Sequence, residues 1–161
     1  FDITPYGTET MHVLRAEKGF ISVGQDTDGY MTPADMNMDW IVGKNKAFSF
    51  IGQRSLSRSD TLRDNRKQLV GLKTIDPTIV LPEGAQIVND PKQPIPMAMQ
   101  GHVTSSYYSA NMGHSIALAV VKGGLNRLGD TVYCPTADGT TVPAQIVSSV
   151  FYDPKGERQH V

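Results

Sequence analysis

Two rhythms of apolar and polar positions divide the chain. In the first third, "PYGTETMHVLRAEKG" predicts a helix. Thr8 reads as its N-cap, and Glu9 lies in the first turn, where the helix dipole favours a negative charge. Met11 and Leu14, three apart, share one face, and Gly19 is placed to stop the helix. "FISVG" then alternates like a short strand, and "DTDG" turns the chain. In "TPAD" (32–35), Thr32 caps, Pro33 fits the first helical position and Asp35 completes a capping-box-like pattern, so a compact helix start is expected. "DWIVGK" reads as a strand and "FIGQRSL" as a short helix opening after Phe50. Residues 57–67, "SRSDTLRDNRK", carry no apolar period apart from Leu62 and mark a boundary.

Beyond residue 67 the texture becomes β. "KQLVGLKTI", "HVTSSYY", "SIALAVVKG", "TVYCPT" and "TVPAQIVSSVFY" read as strands, separated by the turn clusters "PEGA", "SANMGH", "LGD" and "ADGT". Strands of this length and spacing suggest a small barrel or sandwich. "SIALAVV" alternates too little for a half-exposed strand and is expected to be buried on both faces. "TADGTTV" is the clearest hairpin, with Asp138-Gly139 at its turn. The fold class expected is α+β, a mixed α/β segment followed by a small antiparallel β-barrel.

Composition narrows the function classes. The 161 residues carry a net charge of −1, with 39% hydrophobic and 19% charged residues, as in a soluble globular protein. That balance gives no footprint for nucleic acid or a membrane surface. The single cysteine, Cys134, excludes an internal disulfide and suggests a reducing compartment, hence the cytoplasm. No stretch approaches the ~20 apolar residues of a membrane span, and no signal peptide is visible. The opening "FDITPYGTE" lacks an initiator methionine, as a piece of a longer chain would.

Candidate chemistry is sparse. His12, His102, His114 and His160 lack ligand spacing, so no metal site is expected. Ser105, Ser106 and Ser109 lack the context of a nucleophile elbow and are expected to line a strand and its turn. Asp26 and Asp28 lie in a glycine-flanked turn; calcium binding is conceivable, but turn chemistry explains them better. Tyr107-Tyr108 reads either as a ring-stacking platform or, more simply, as cross-strand packing. The outlier is Glu17, an acid in the last turn of the predicted helix, where the dipole offers it nothing.

Ordered motifs along the whole chain carry a resemblance. "LRAEKG" (14–19), "GQDTD" (24–28), "TP" (32–33), Trp40, "FIG" (50–52), "LVGL" (69–72), "GHVTSSYYS" (101–109), "SIALAVV" (115–121) and "VPAQIV" (142–147) resemble the tetrahydrofolate-dependent aminomethyltransferase family, which includes the glycine-cleavage T-protein. "HVLRAEKGFISVGQDTDG", "NRKQLVGL" and "FYDPKGER" resemble in particular the alpha subunits of heterotetrameric sarcosine oxidases within it. The resemblance implies the C-terminal part of a three-domain cloverleaf around a folate cavity. Residues 1–56 would be the tail of the folate-binding domain, 57–65 a linker, 66–152 the β-barrel and 153–161 a C-terminal tail.

By the same resemblance, Glu17 of L-R-x-E-x-G binds the pterin ring. A pterin edge presents a ring N–H beside an exocyclic NH₂, and a carboxylate accepts both. A basic residue about thirty positions on holds the folate's carboxylate tail; Lys46 matches, with Lys44 a near competitor. Tyr152 matches a C-terminal tyrosine contact. The chain departs from the family at Ser109-Ala110, often Ser-Pro, and at Asp39-Trp40, often Gly-Trp. The family's catalytic aspartate lies upstream of "LRxExG", so this stretch alone is expected to be inactive. The implied parent demethylates sarcosine oxidatively to glycine, passing the one-carbon unit to tetrahydrofolate as 5,10-methylenetetrahydrofolate or releasing formaldehyde. FAD, FMN and NAD would sit elsewhere in the parent complex, and the beta, gamma and delta subunits would be its partners. Alternatives are a dimethylglycine dehydrogenase-like or free-standing aminomethyltransferase, or a non-catalytic subunit-docking barrel.

Overall fold

The computed structural model describes residues 2–43 and 45–160. Helix α1 (Thr8–Glu17) is followed by 3-10 turns at Asp39–Ile41 and Gln53–Ser57. Strands β1 (Lys67–Thr74), β2 (Gln86–Ile87), β3 (Gly101–Ser109), β4 (His114–Lys122), β5 (Thr131–Pro135) and β6 (Thr141–Val147) form one antiparallel sheet in the order β2-β3-β4-β1-β6-β5. Just past β2, Val88 and Tyr133 of β5 exchange both backbone hydrogen bonds at 2.9 Å. This pairing joins the two ends of the sheet and closes the barrel, leaving little free edge to pair elsewhere.

Side chains alternate between two cores. Leu72, Val103, Ala117, Ala119, Val121 and Ile146 fill the barrel interior. Leu69, Ile116 and Leu118 point outward and are covered by Ala16 and Met36 of the first third, with Tyr107 packed alongside. Residues 115–121 are therefore buried throughout, as "SIALAVV" predicts. At Gly101 a Cβ would come within 1.9 Å of the Val120 carbonyl oxygen, so only glycine fits where β3 meets β4.

The first third differs from its sequence reading in several places. Helix α1 begins at Thr8, but Gly7 is the N-cap and no side chain caps the helix. Met11 and Leu14 are exposed; the helix buries Ala16 and Glu17 instead. Its end follows expectation: Gly19 is left-handed (φ 69°), its N–H reaches the Ala16 carbonyl at 3.0 Å, and the Phe20 N–H reaches Arg15 at 2.9 Å. That pair of bonds is a Schellman stop. "FISVG" makes no strand, and "DWIVGK" holds a 3-10 turn with Trp40 and Ile41 exposed. "FIGQRSL" reaches only the 3-10 turn at Gln53–Ser57. A strand needs a ladder partner, and among the described residues these segments pair with no strand of the barrel; Ile21 of "FISVG" instead packs its side chain on the barrel's outer face.

Thr32 and Asp35 do form the expected reciprocal bonds, the Thr32 N–H donating to Asp35 Oδ2 at 2.8 Å. Helix does not propagate, because Asn37 adopts a left-handed conformation (φ 57°) after one turn. The turn serves a different purpose: Arg66 donates to Asp35 through Nε (2.8 Å) and Nη2 (2.7 Å), and the Leu69 N–H of β1 donates to the Asp35 carbonyl at 2.8 Å. Burial pushes the Asp35 carboxyl up, but bonds from Arg66 and Thr32 outweigh it and hold it below its usual 3.8. A carboxyl lowered by folding stabilises above its unfolded value, and that stability is lost as pH falls through the folded one. Arg66→Met is expected to cost about 3–5 kcal/mol at neutral pH by stranding a buried carboxylate. In urea melts across pH, the gap between variant and parent should narrow as pH falls and Asp35, pushed up by burial once Arg66 is gone, protonates in the variant.

Candidate functional site

The candidate site is built where β3 changes faces. In a regular strand, Val103, Ser105, Tyr107 and Ser109 would all point the same way. Here the pairing with β4 slips between Val103 and Ser105, leaving Thr104 as an extra residue. The bulge reverses the alternation. Val103 packs inside the barrel, whereas Tyr107 joins the outer core and Ser105 and Ser109 face the first third.

The bulge also lets two consecutive hydroxyls reach one carboxylate. Thr104 Oγ1 (2.5 Å) and Ser105 Oγ (2.7 Å) both donate to Asp26 Oδ1. Asp26 Oδ2 accepts from the Ser22 N–H at 2.8 Å and pairs with the Arg15 guanidinium, whose Nη2 donates to Ser105 Oγ at 2.7 Å. Asp26 closes a turn, as its sequence context suggests, its N–H donating to the Ser22 carbonyl at 2.8 Å, and it is also a buried ion-pair partner. Asp28 does follow turn chemistry, its Oδ1 accepting the Tyr30 N–H at 2.8 Å.

One strand-turn further along, Glu17 is held in a similar way. Its side chain is buried, with only 2% of the residue exposed at the end of α1. Ser109 Oγ donates to Glu17 Oε1 at 2.6 Å, and Asn111 Nδ2, in the β3–β4 turn, donates to Oε2 at 2.8 Å. Ser109 is itself fixed, accepting the Met112 N–H at 3.0 Å. The Glu17 carbonyl accepts the N–H groups of Phe151 and Tyr152, each at 2.9 Å, so the tail after β6 caps the helix end. A carboxylate has about four acceptor positions, and these two donors leave about two open.

The other expected residues fall in different surroundings. Tyr152 reaches Glu17 through its backbone, while its ring lies 5.2 Å beneath the Arg158 guanidinium. Lys46 is exposed, its ammonium 4.7 Å over the Phe50 ring. Among the described residues no hydrogen bond or ion pair joins Lys46 to Glu17; Lys44 lies outside them. Cys134 is buried in the barrel, and burial pushes its thiol up to about 12, as for an inert core residue. Asp138 accepts from Thr136 and Thr140 in the β5–β6 turn, which lowers its carboxyl to about 2. Among the described residues, no group of three or more His, Cys, Asp or Glu is placed to hold a metal, and no helix is long and apolar enough to cross a membrane.

Arg15 and Asn111 escaped the sequence reading, as did the ion-pair role of Asp26. The three consecutive hydroxyls of "VTSSYYS", Thr104 to Ser106, were the available signal, since a regular strand would send at least one of them into the barrel. Asp26→Asn keeps the shape but removes the charge facing Arg15. It is expected to destabilise the protein by about 3–5 kcal/mol in urea denaturation, the range for breaking a buried ion pair.

Comparison with known proteins places this arrangement. The profile of the glycine cleavage T-protein C-terminal barrel domain matches residues 67–153, and that of the GCVT N-terminal domain matches residues 1–46. The sarcosine oxidase alpha subunit of Corynebacterium sp. (strain U-96) is 48% identical over 99% of this chain, which spans 16% of that protein's length. The alpha subunit from Rhizobium meliloti is 38% identical over 99% of the chain, again 16% of its own length. An aminomethyltransferase from Nostoc is 30% identical over 93% of the chain and 38% of its own. The crystal structure of the glycine cleavage system aminomethyltransferase T from Bartonella henselae superposes with a TM-score of 0.76 at 22% identity, over 92% of this chain and 39% of that one. Its likeness is one of fold. With the closed barrel of residues 67–153 matched along its whole length, the chain belongs to the glycine cleavage T-protein C-terminal barrel family.

Proposed function

We propose that this chain forms part of a tetrahydrofolate site in an alpha subunit of a sarcosine-oxidising enzyme. The observation that carries the reading is the Glu17 carboxylate, held rigidly at the junction of helix and barrel with acceptor capacity to spare. The chemistry fits the group. The pterin edge is a paired donor, a ring N–H beside an NH₂, and Glu17 is acceptor-only when ionised. A glutamine there would turn one acceptor into a donor facing a donor. Identity of 48% with a sarcosine oxidase alpha subunit favours that parent over a free-standing aminomethyltransferase, whose Nostoc relative is 30% identical.

In this reading the residues bind and orient rather than transform. Glu17 fixes the pterin edge, Lys46 faces the carboxylate tail of the folate, and Tyr152 borders the cavity beside the helix end it caps. Bound tetrahydrofolate supplies the nucleophilic nitrogen that accepts a one-carbon unit. The parent reaction is oxidative demethylation of sarcosine to glycine, with the carbon passed to folate or released as formaldehyde. Holding folate close captures the carbon before it escapes, an advantage of proximity. FAD, FMN and NAD, together with the beta, gamma and delta subunits, belong to the rest of that complex, and this stretch by itself is inactive.

Calorimetric titration of 5-formyltetrahydrofolate into the full-length parent chain tests the reading. Glu17→Gln is expected to weaken binding by ~1–3 kcal/mol, the cost of a donor left unpaired. Lys46→Ala should weaken binding of the glutamate-bearing folate and leave that of a pterin lacking the tail unchanged. Equal affinity of the Glu17→Gln variant and the parent would overturn the assignment.

A further inference from the structure

The two donors on Glu17 are not equivalent. Ser109 has no exposed surface, sits at the end of β3 and is locked by the Met112 N–H. Asn111 is exposed, in a turn closed by the left-handed Gly113 (φ 59°), and its amide donates to Glu17 Oε2 at 2.8 Å. The Asn111 donor is a planar NH₂ on a trigonal carbon. That is the same chemical unit as the exocyclic NH₂ of a pterin, on the same kind of acceptor.

Resting on the reading of Glu17 as the pterin acceptor, we propose that Asn111 is a displaceable cap. Its amide NH₂ occupies Glu17 Oε2 while the site is free and gives that position up to the NH₂ of the incoming pterin. Ser109 stays in place and keeps Oε1 oriented, so it is the positioning residue. The arrangement fits a ligand-binding carboxylate that is 2% exposed: one of its two donors is a side chain of an exposed turn residue. It also keeps the buried carboxylate hydrogen-bonded in both states, which avoids the cost of an unpaired buried charge.

A cap and a structural strut respond oppositely to deletion. Removing either lowers folding stability, but removing a cap also removes a competitor for the ligand's own acceptor. The test uses the full-length parent chain with 5-formyltetrahydrofolate, thermal melts for stability and calorimetry for Kd. Asn111→Ala is expected to lower Tm and to decrease Kd by up to about tenfold. Ser109→Ala is expected to lower Tm and raise Kd about tenfold. Asn111→Ser, which suits the turn but shortens the donor, gives the same comparison if the alanine variant fails to fold. An unchanged Kd for the Asn111 variants, or a rise like that for Ser109→Ala, would overturn the cap and make Asn111 a strut. An unchanged Kd in Glu17→Gln would overturn the pterin reading itself, and the cap with it.

Discussion

One extra residue in β3 sets the geometry on which the rest depends. The bulge at Thr104 reverses the alternation of the strand, so that Val103 remains in the barrel interior while Ser105, Tyr107 and Ser109 face outward. The outward residues are what the first third binds. Ser105 and Thr104 hold Asp26 and through it Arg15, Tyr107 packs in the outer core, and Ser109 holds Glu17. Without the bulge, a strand carrying Val103 inward would carry Ser105 and Ser109 inward too, and α1 would have lost its polar anchors.

These anchors matter because the first third has little else to hold it. Helix α1 buries only Ala16 and Glu17, and Tyr6, Val23, Trp40, Phe48 and Ile51 are largely exposed. A small apolar contact over Leu69, Ile116 and Leu118 is supplemented by buried charge pairs, Arg15 with Asp26 and Arg66 with Asp35. Such pairs add less to stability than their number suggests, since desolvation offsets much of their attraction. They do define orientation, because a buried guanidinium tolerates one arrangement of acceptors. The helix end, and with it Glu17, is thereby fixed relative to the barrel.

The barrel was legible in the sequence and the site only partly so. Five of its strands follow from short apolar runs between glycine-rich turns, while β2, Gln86–Ile87, is too short to leave a pattern. "FISVG" and "DWIVGK" misled because alternation records which side chains are buried or could be, whereas a strand also requires a backbone partner. Glu17 stood out by its position against the helix dipole. Asp26 did not, since glycines around an aspartate look the same whether the carboxylate caps a turn or is buried against a strand eighty residues away. Asn111 carried no signal: its role depends on how far the β3 register brings the turn towards α1.

A structure of the full-length parent chain with bound 5-formyltetrahydrofolate would test the central claim most directly. The account predicts the pterin ring N–H and NH₂ within about 3 Å of the Glu17 carboxylate. Ser109 would still donate to Oε1, and the Asn111 amide would have turned away. A pterin bound elsewhere, with Asn111 still on Glu17 Oε2, would contradict it and leave Glu17 as a strut between helix and barrel.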